Sequence, residues 1–289
     1  MLFTVFTPSY NRAHTLTRLF ESLKVQTYKD FEWLIVDDGS SDNTEDLVKG
    51  FMEDEPYFSI VFIKNEHGGK HRAVNRGLDV AEGELFFMLD SDDYLTPNAL
   101  ATVKKWVDRI PNRDECAGLC GMMADESGNI IGTHLIQEYY YMTLIEMIKK
   151  GITGDHADIL FTDVFRKYKY PEIEGEWHIA PGVPFVRMAR DNYKLFFFNE
   201  IIYIAEYMQD GLTNMGEKKI TQNFNGYTLR TKELLQSDIG MRRKIELIGK
   251  YSYLARKNNI SYTEIANNLN EKTILCYLVE KIARVYLSR

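Results

Sequence analysis

The sequence predicts an α/β fold, in which a mostly parallel, Rossmann-like sheet is flanked by helices and followed by a helical C-terminal extension. In the first hundred residues, short apolar runs alternate with segments of helical periodicity. Runs that are apolar throughout are typical of parallel strands, because helices cover both faces of such a sheet. After about residue 216, apolar residues recur only at helical spacing, which predicts the extension.

The individual elements follow from the same patterns. Strands are predicted at residues 2–7, 33–36, 60–63, 85–89, 116–124, 130–133 and 195–203. Helices are predicted at 16–23, from Asp42 onward, at 72–81, from Thr96 onward, at 139–150, at 234–254 and at 265–287. Asp42 with Glu45, and Thr96 with Pro97, have the residue types of helix starts, so we expect Asp42 and Thr96 to be N-caps.

Composition indicates a soluble globular protein. Of 289 residues, 45% are hydrophobic and 27% charged, which allows a substantial core. No apolar run approaches the ~20 residues of a membrane span, and the N-terminus is too short for a signal peptide. Three cysteines predict a reducing, cytoplasmic compartment without a disulfide framework. Cys116 and Cys120 have no partner pair at zinc spacing and are predicted to be core residues.

Charge is unevenly distributed along the chain. The net charge is −7, but residues 217–289 contain 14 Lys/Arg and 7 Asp/Glu, so this tail carries +7 and the remainder −14. An acidic body repels phosphates and argues against nucleic acid as a partner. The basic tail has two interpretations. It is either a set of solvated helices or a peripheral attachment to an anionic membrane through Arg242, Arg243, Lys244, Arg256 and Lys257.

Polar clusters follow three of the predicted parallel strands. They are TPSYNR at residues 7–12, DDGS at 37–40 and DSDD at 90–93. A turn with a helix cap explains any one of them alone. Capping needs one Asp or Ser per helix, however, and does not account for paired carboxylates. Because ligands of open α/β sheets bind beyond the carboxyl ends of the strands, we expect a ligand site at this edge.

Asp90 and Asp92 are the predicted metal ligands. They leave a buried strand together, and hard divalent cations such as Mn²⁺ and Mg²⁺ prefer carboxylate oxygens, often one or two with substrate phosphates. Clustered carboxylates also repel each other unless a cation neutralises them. The alternative is that Asp92 or Asp93 caps the next helix, a role that we expect Thr96 to fill.

The chain resembles the family 2 glycosyltransferases, which share the GT-A fold. The resemblance covers about residues 1–110 and rests on motifs in the family's order and spacing. These motifs are SYNR at 9–12, VDDGSSD at 36–42, NRG at 75–77, AEGE at 81–84 and LDSDD at 89–93. The resemblance implies a GT-A catalytic domain at 1–216, with a nucleotide-binding half at 1–110 and an acceptor half at 111–216, followed by the helical extension at 217–289.

The resemblance also implies residue roles in the donor site. Contacts to the nucleoside are expected from Thr7, Pro8, Ser9, Tyr10 and Asp38. Lys70 would face the base or the diphosphate, with a solvated lysine at a helix start as the alternative. Asp90 would meet the ribose and the metal, Ser91 would lie beside the donor, and Asp92 would hold Mn²⁺ or Mg²⁺. Such a cation stabilises the charge that develops on the departing nucleoside diphosphate.

The family inverts the anomeric carbon, which requires a carboxylate that accepts the proton of the attacking hydroxyl. The family usually supplies it from a Glu-Asp pair 80–100 residues after the metal motif. Here the corresponding loop, residues 171–182, has no Glu-Asp, and Gly182 stands where a related branch has a further Glu. Glu176 is the predicted base, with Glu174 and Asp191 as alternatives.

The predicted function is transfer of a sugar from a nucleotide sugar, with UDP-sugar as the expected donor, to an acceptor hydroxyl with inversion. The acceptor would be a saccharide or a lipid-linked saccharide in cell-surface polysaccharide or glycolipid synthesis, placing the enzyme in the cytoplasm or at the inner membrane face. Two alternatives remain: an inactive nucleotide-sugar-binding module and a sugar nucleotidyltransferase. The latter class has a glycine-rich loop after the first strand, whereas residues 7–12 contain no glycine.

Overall fold

The structure is a computed structural model that describes residues 1–54, 56–133, 136–152, 154–206, 208 and 215–287. Within these residues, nine strands form one sheet. In chain order they are β1 Phe3–Ser9, β2 Phe31–Asp37, β3 Ser59–Lys64, β4 Leu85–Met88, β5 Tyr94–Leu95, β6 Cys116–Ala124, β7 Tyr139–Met142, β8 Ala157–Phe161 and β9 Lys194–Ile204.

Helices flank the sheet and form the C-terminal part of the chain. They are α1 Ala13–Lys24, α2 Thr44–Glu53, α3 Lys70–Val80, α4 Ala99–Val107, α5 Leu144–Lys149, α6 Thr162–Phe165, α7 Gly182–Arg190, α8 Gly216–Gln222, α9 Phe224–Leu235, α10 Met241–Lys257, α11 Tyr262–Leu269 and α12 Thr273–Leu287. A 3₁₀ turn at Arg166–Tyr168 follows α6. In the part of the chain described, no helix is both long and apolar enough to cross a membrane.

The sheet order is β3-β2-β1-β4-β8-β6-β9-β5, with β7 beside β9. The first four strands are parallel, as predicted, and β1 and β2 are buried nearly throughout. The second half is mixed, because β8 runs antiparallel to both β4 and β6, whereas β9 is parallel to β6. The start of β8 therefore lies at the same edge as the end of β4.

Two predictions for the middle of the chain are wrong. The segment predicted as one helix at 139–150 divides into β7 and the short α5, because residues 139–142 pair antiparallel with β9. Thr143 then caps α5 through a capping box with Glu146. The strand predicted at 130–133 is reduced to an isolated bridge between Ala124 and Ile130.

The two predicted N-caps are also wrong. The helix after Thr96 begins at Ala99 with Asn98 before it, and the Thr96 side chain is not a cap. The earlier helix begins at Thr44, and Asp42 instead accepts hydrogen bonds from the Thr44 amide (3.1 Å) and hydroxyl (2.6 Å).

The C-terminal helices contain their own apolar cluster. The principal core of the sheet runs from Phe3 to Ala205, whereas a second cluster is formed by residues between Tyr227 and Val279. A small third cluster joins α7 to α9 and α10 through Val186, Leu234 and Leu247. Helices α9 and α10 thus pack directly on α7.

Candidate active site

The three polar clusters lie side by side at one edge of the sheet. Because β1, β2 and β4 are parallel, their carboxyl ends meet there, with Ser9 opposite Asp37 and Phe6 opposite Met88. The amide of Asp38 donates to the Ser9 carbonyl at 2.8 Å, which holds the first two clusters together. We call this region the donor edge, after the donor that the resemblance leads us to expect there. Its formation agrees with the expectation from the motifs.

The loop after β1 is buried where it leaves the strand and exposed at Tyr10. Thr7 is fully buried, and its hydroxyl accepts a hydrogen bond from the Trp33 indole N–H at 3.0 Å. Its side chain is therefore committed to the core. Ser9 is also buried, but Tyr10 is 44% exposed and stacks on His67 with ring centroids 4.3 Å apart. Tyr10 and His67 thus present a flat aromatic surface beside Asp38.

Asp38 connects the end of β2 to the start of α3. It is only 4% exposed, and its two carboxylate oxygens accept backbone N–H bonds from Gly68 (2.9 Å) and Gly69 (2.8 Å). The His67 Nδ1 atom lies 2.9 Å from the second oxygen. Each carboxylate oxygen has two lone pairs, so this arrangement leaves acceptor capacity for a ligand N–H.

Lys70, the first residue of α3, points across the donor edge to Asp90. Its ammonium group donates to both carboxylate oxygens, at 2.6 and 2.7 Å. Burial alone would lower the pKa of Lys70. The charge and hydrogen bonds of Asp90 outweigh this effect, so the pKa of Lys70 is raised above its usual value. Lys70 is therefore a partly buried, ion-paired cation rather than a solvated lysine.

Asp90, Asp92 and Asp93 bring carboxylate oxygens within 4.8 Å of one another. Burial and the charge of Asp90 raise the pKa of Asp92 and raise that of Asp93 to about 7. Asp93 does not cap the next helix. Instead it accepts the Tyr203 hydroxyl at 2.6 Å and the Glu206 amide at 2.8 Å. Asp93 therefore anchors residues 90–93, which we call the acidic loop, to the end of β9.

Sequence reasoning missed Arg18 of α1. Its guanidinium donates to the Asp92 carbonyl at 2.6 Å, pairs with Glu206 and lies 4.8 Å from the centre of the Tyr94 ring. Arg18 thereby fixes the backbone of the acidic loop. No local motif marks it, because its partners are distant in sequence.

The loop at 171–182 lies against the start of α3. Arg72 donates to the carbonyls of Glu176 (2.9 Å) and Ile173 (3.0 Å). Gly69 has a φ of 98°, and a Cβ at this position would overlap the Trp177 carbonyl oxygen. A glycine is therefore required both by backbone conformation and by this close approach.

Glu176, the predicted base, is held by the C-terminal extension. Its side chain is buried, and its two carboxylate oxygens accept the N–H groups of Asn225 and Gly226, both at 2.7 Å. These groups lie in the first turn of α9, where a helix leaves N–H groups without intrahelical partners. Any base role for Glu176 would have to use the remaining lone pairs, so the assignment stays a prediction.

Asn223 completes this connection from the other side. Its side-chain oxygen accepts the amides of Trp177 (2.8 Å) and His178 (2.9 Å). Glu176 of the loop therefore caps the start of α9, and Asn223, which precedes α9, in turn binds two backbone amides of the loop. We call this reciprocal arrangement of Glu176 and Asn223 the loop clamp. Burial, with smaller effects from nearby cations, lowers the pKa of His178 to about 4.

The two alternative bases lie in different surroundings. Glu174 is exposed on the same loop. Asp191 accepts the Tyr168 hydroxyl at 2.6 Å and precedes β9, so it lies at the edge of the sheet opposite the donor edge. This position rules out Asp191 as a base for a donor bound at the donor edge.

Asp158 is a further carboxylate that sequence reasoning missed. It lies near the start of β8, and the pairing of Ile159 with Phe87 places it level with the end of β4. Its carboxylate accepts the Cys120 thiol at 3.4 Å. Burial raises the pKa of Asp158 to about 7, and the charges of Lys70 and Asp90 also act on it. Asp158 therefore belongs to the donor edge.

The fold is the GT-A fold of nucleotide-sugar-dependent glycosyltransferases. The structure is similar to S. aureus TarS 1–349 in complex with UDP-GlcNAc, with a TM-score of 0.64, 21% identity, and coverage of 89% of this chain and 73% of that chain. It is also similar to the mannosyltransferase PcManGT from Pyrobaculum calidifontis in complex with GDP-Man and Mn²⁺ (TM-score 0.55, 16% identity, 98% of this chain and 75% of that one).

Residues 4–168 match the model of glycosyl transferase family 2, and the chain belongs to that family. It is 35% identical over 217 residues to glycosyltransferase GlyG of Streptococcus pneumoniae, covering 71% of this chain and 68% of the relative. It is also 35% identical over 246 residues to a GalNAc(5)-diNAcBac-PP-undecaprenol beta-1,3-glucosyltransferase of Campylobacter jejuni, covering 83% and 76%. The protein is thus a glycosyltransferase, as its motifs predicted.

Proposed function

We propose that this enzyme transfers a hexose from a UDP-sugar to a hydroxyl of a saccharide or lipid-linked saccharide, with inversion, in cell-surface polysaccharide or glycolipid synthesis. The observation that carries the proposal is the convergence of the Tyr10 loop, Asp38, Lys70 and the acidic loop at one sheet edge. The relative named for action on a PP-undecaprenol substrate and the TarS complex with UDP-GlcNAc support the substrate classes.

Residues 1–110 would bind the donor, 111–216 the acceptor, and 217–289 would be an extension joined by the loop clamp. The uracil N–H would be accepted by Asp38, and the base would lie against Tyr10 beside Pro8 and Ser9. Thr7 would contribute backbone only, because its hydroxyl is bound to Trp33. Lys70, beside Asp90 and Ser91, would face the diphosphate as a compact, donor-rich cation.

The acidic loop fits a divalent cation. Three carboxylates lie within 4.8 Å, and burial together with mutual repulsion raises the pKa of both Asp92 and Asp93. A cation relieves that repulsion, and oxygen ligands suit Mn²⁺ and Mg²⁺. We propose Asp92 and Asp90 as its ligands, with Asp93 and Arg18 orienting the loop. When bound, the cation neutralises charge on the leaving diphosphate.

Two carboxylates are candidates for the base that accepts the acceptor's proton. Glu176 is the one predicted from the loop, although both its oxygens are bound to α9. Asp158 is favoured by its place at the donor edge and by a pKa of about 7, near the value that suits a general base at neutral pH. The variants Glu176→Gln and Asp158→Asn, each assayed for turnover per folded molecule, distinguish the two candidates.

A thermal-shift series tests the proposed donor. We expect UDP with Mn²⁺ to raise the melting temperature by about 5–10 °C at a concentration of about 100 Kd. GDP, CDP and dTDP should have smaller effects. Asp92→Asn should remove the Mn²⁺-dependent part of the shift, whereas Asp114→Asn, an exposed residue before β6 at the opposite edge, should not.

Three results would count against the proposal. If no nucleotide stabilises the protein, the donor site is wrong. If Asp92→Asn behaves as wild type, the metal assignment is wrong. If UDP-sugars bind but no sugar reaches any hydroxyl acceptor, including saccharides linked to lipid diphosphates, the chain is an inactive nucleotide-sugar-binding module.

A further inference from the structure

Helix α12 exposes a row of large aliphatic side chains. Ile274, Leu278 and Ile282 are 61%, 53% and 57% exposed, and their spacing of four residues places them on one face of the helix. The opposite face is buried against α10. There Cys276 and Val279 enter the second core, and Gly249 lets the backbone at Val279 approach closely. The exposed row is therefore separate from the packing that holds α12 in place.

Basic side chains border this row on one side. Lys281 and Arg284 lie on the neighbouring stripe of α12 and are both exposed. Arg284 also lines a groove of about 470 Å³, whose other lining residues, Tyr253, Arg256 and Lys257, are on α10. Three cations thus line one groove between α10 and α12.

The basic residues are only partly neutralised. Arg284 is held by Glu280 at 2.7 Å, and Lys257 pairs with Glu217 on the surface. Arg256 donates to the Ile260 carbonyl at 2.8 Å and lies 5.0 Å from the centre of the Tyr262 ring. Lys281 also lies 3.9 Å from Glu280, so the four cations Arg256, Lys257, Lys281 and Arg284 share two carboxylate partners, which leaves an excess of positive charge here.

We propose that this surface docks on an anionic phospholipid bilayer. We call it the α12 face, defined by Ile274, Leu278 and Ile282 with Lys281 and the groove of Arg256, Lys257 and Arg284. The aliphatic row enters the headgroup region, while the basic side chains meet lipid phosphates. A helix with an apolar row flanked by Lys and Arg binds a membrane in this way, lying in the interface plane.

Charge favours a bilayer over a second copy of the chain. Two copies meeting through the α12 face would bring their like-charged grooves together. Three half-exposed aliphatic side chains also offer much less than the ~800 Å² per partner that a stable protein interface buries. A bilayer needs no such area, because each basic residue near an anionic surface strengthens binding by about fivefold.

Vesicle sedimentation tests this inference, which does not depend on the donor or the reaction. The wild-type chain should bind phosphatidylcholine vesicles containing phosphatidylglycerol much more tightly than pure phosphatidylcholine, and added salt should weaken binding. Leu278→Ser should weaken it by about tenfold or more. Lys281→Gln should weaken it by about fivefold. Ile136→Ser, which alters an aliphatic residue that is 90% exposed outside the α12 face, should have no effect.

A Leu278→Trp variant adds a reading that does not depend on affinity. If residue 278 enters the bilayer, anionic vesicles should shift its emission to shorter wavelength. Equal binding of the Leu278→Ser variant and wild type would overturn the proposal, as would no binding of wild type to anionic vesicles. A wild-type dimer in solution that Leu278→Ser converts to monomer would show instead that the α12 face joins two copies.

Discussion

The loop clamp makes a quantitative prediction for Glu176→Gln. Each carboxylate oxygen accepts one N–H of α9 at 2.7 Å, so the substitution keeps one acceptor and sets an amide NH₂ group against the second N–H. A hydrogen bond to a charged group contributes about 1.5–3 kcal/mol, and a negative charge at a helix N-terminus about 0.3–2 kcal/mol. These effects overlap, so we expect the free energy of unfolding to fall by about 3 kcal/mol.

Denaturant unfolding followed by circular dichroism measures this change. The matched control is Glu174→Gln, which alters an exposed carboxylate two residues earlier and should change stability by less than about 0.5 kcal/mol. Turnover of both variants should be measured without denaturant and at a temperature where each variant is folded. Loss of folded protein is then not mistaken for loss of catalysis.

The outcome separates a structural from a catalytic Glu176. If the clamp is its main role, Glu176→Gln lowers stability while turnover per folded molecule falls only moderately. Unchanged stability together with a loss of turnover by orders of magnitude would refute this reasoning. Glu176 would then be the base, and its hydrogen bonds to α9 would contribute little.

Three further predictions concern other parts of the donor edge. Gly69→Ala should destabilise the protein by more than about 2 kcal/mol and weaken UDP binding, because the added Cβ meets the Trp177 carbonyl. The control is Gly50→Ala, where space is open, which should be neutral or stabilising in thermal unfolding. Burial lowers the pKa of His71 to about 4, so the unfolded chain takes up more protons between pH 6.5 and 4, and stability should fall by about 3 kcal/mol as the pH falls through that range. Urea titrations at several pH values should show that the free energy of unfolding depends less on pH in His71→Gln than in wild type. The same pH dependence in both proteins would contradict the role given to His71. Asp158→Asn should abolish the rise of kcat with pH near 7 if Asp158 is the base, whereas retention of that rise would exclude it.

The fold of residues 1–110 could be predicted because its signals are local. Each parallel strand is an uninterrupted apolar run, and each polar cluster directly follows a strand, so the edge where they meet follows from topology. The acidic loop and Asp38 were found in this way, and the structure places both at the donor edge.

Residues 111–216 could not be predicted as well, because their contacts are remote in sequence. The aromatic run at 139–142 has no clear period, and only its pairing with β9 makes it a strand. Asp158 carries no motif, and its place depends on β8 running antiparallel beside β4. Glu176 was predicted as the base, which stays a prediction, and its hydrogen bonds could not be foreseen because the helix that binds it begins at Phe224, far along the chain.

The loop clamp also has a consequence for synthesis on the ribosome. The loop at 171–182 contacts the start of α3, which is made early, and the first turn of α9, which is made late. Glu176 and Gly226 are 50 residues apart. At about 5–20 residues per second, roughly 3–10 s pass between their emergence. During that interval the nascent sheet can form, while the loop beside it still lacks its second support. The loop therefore gains its second support only after β9, the last strand described, has been made.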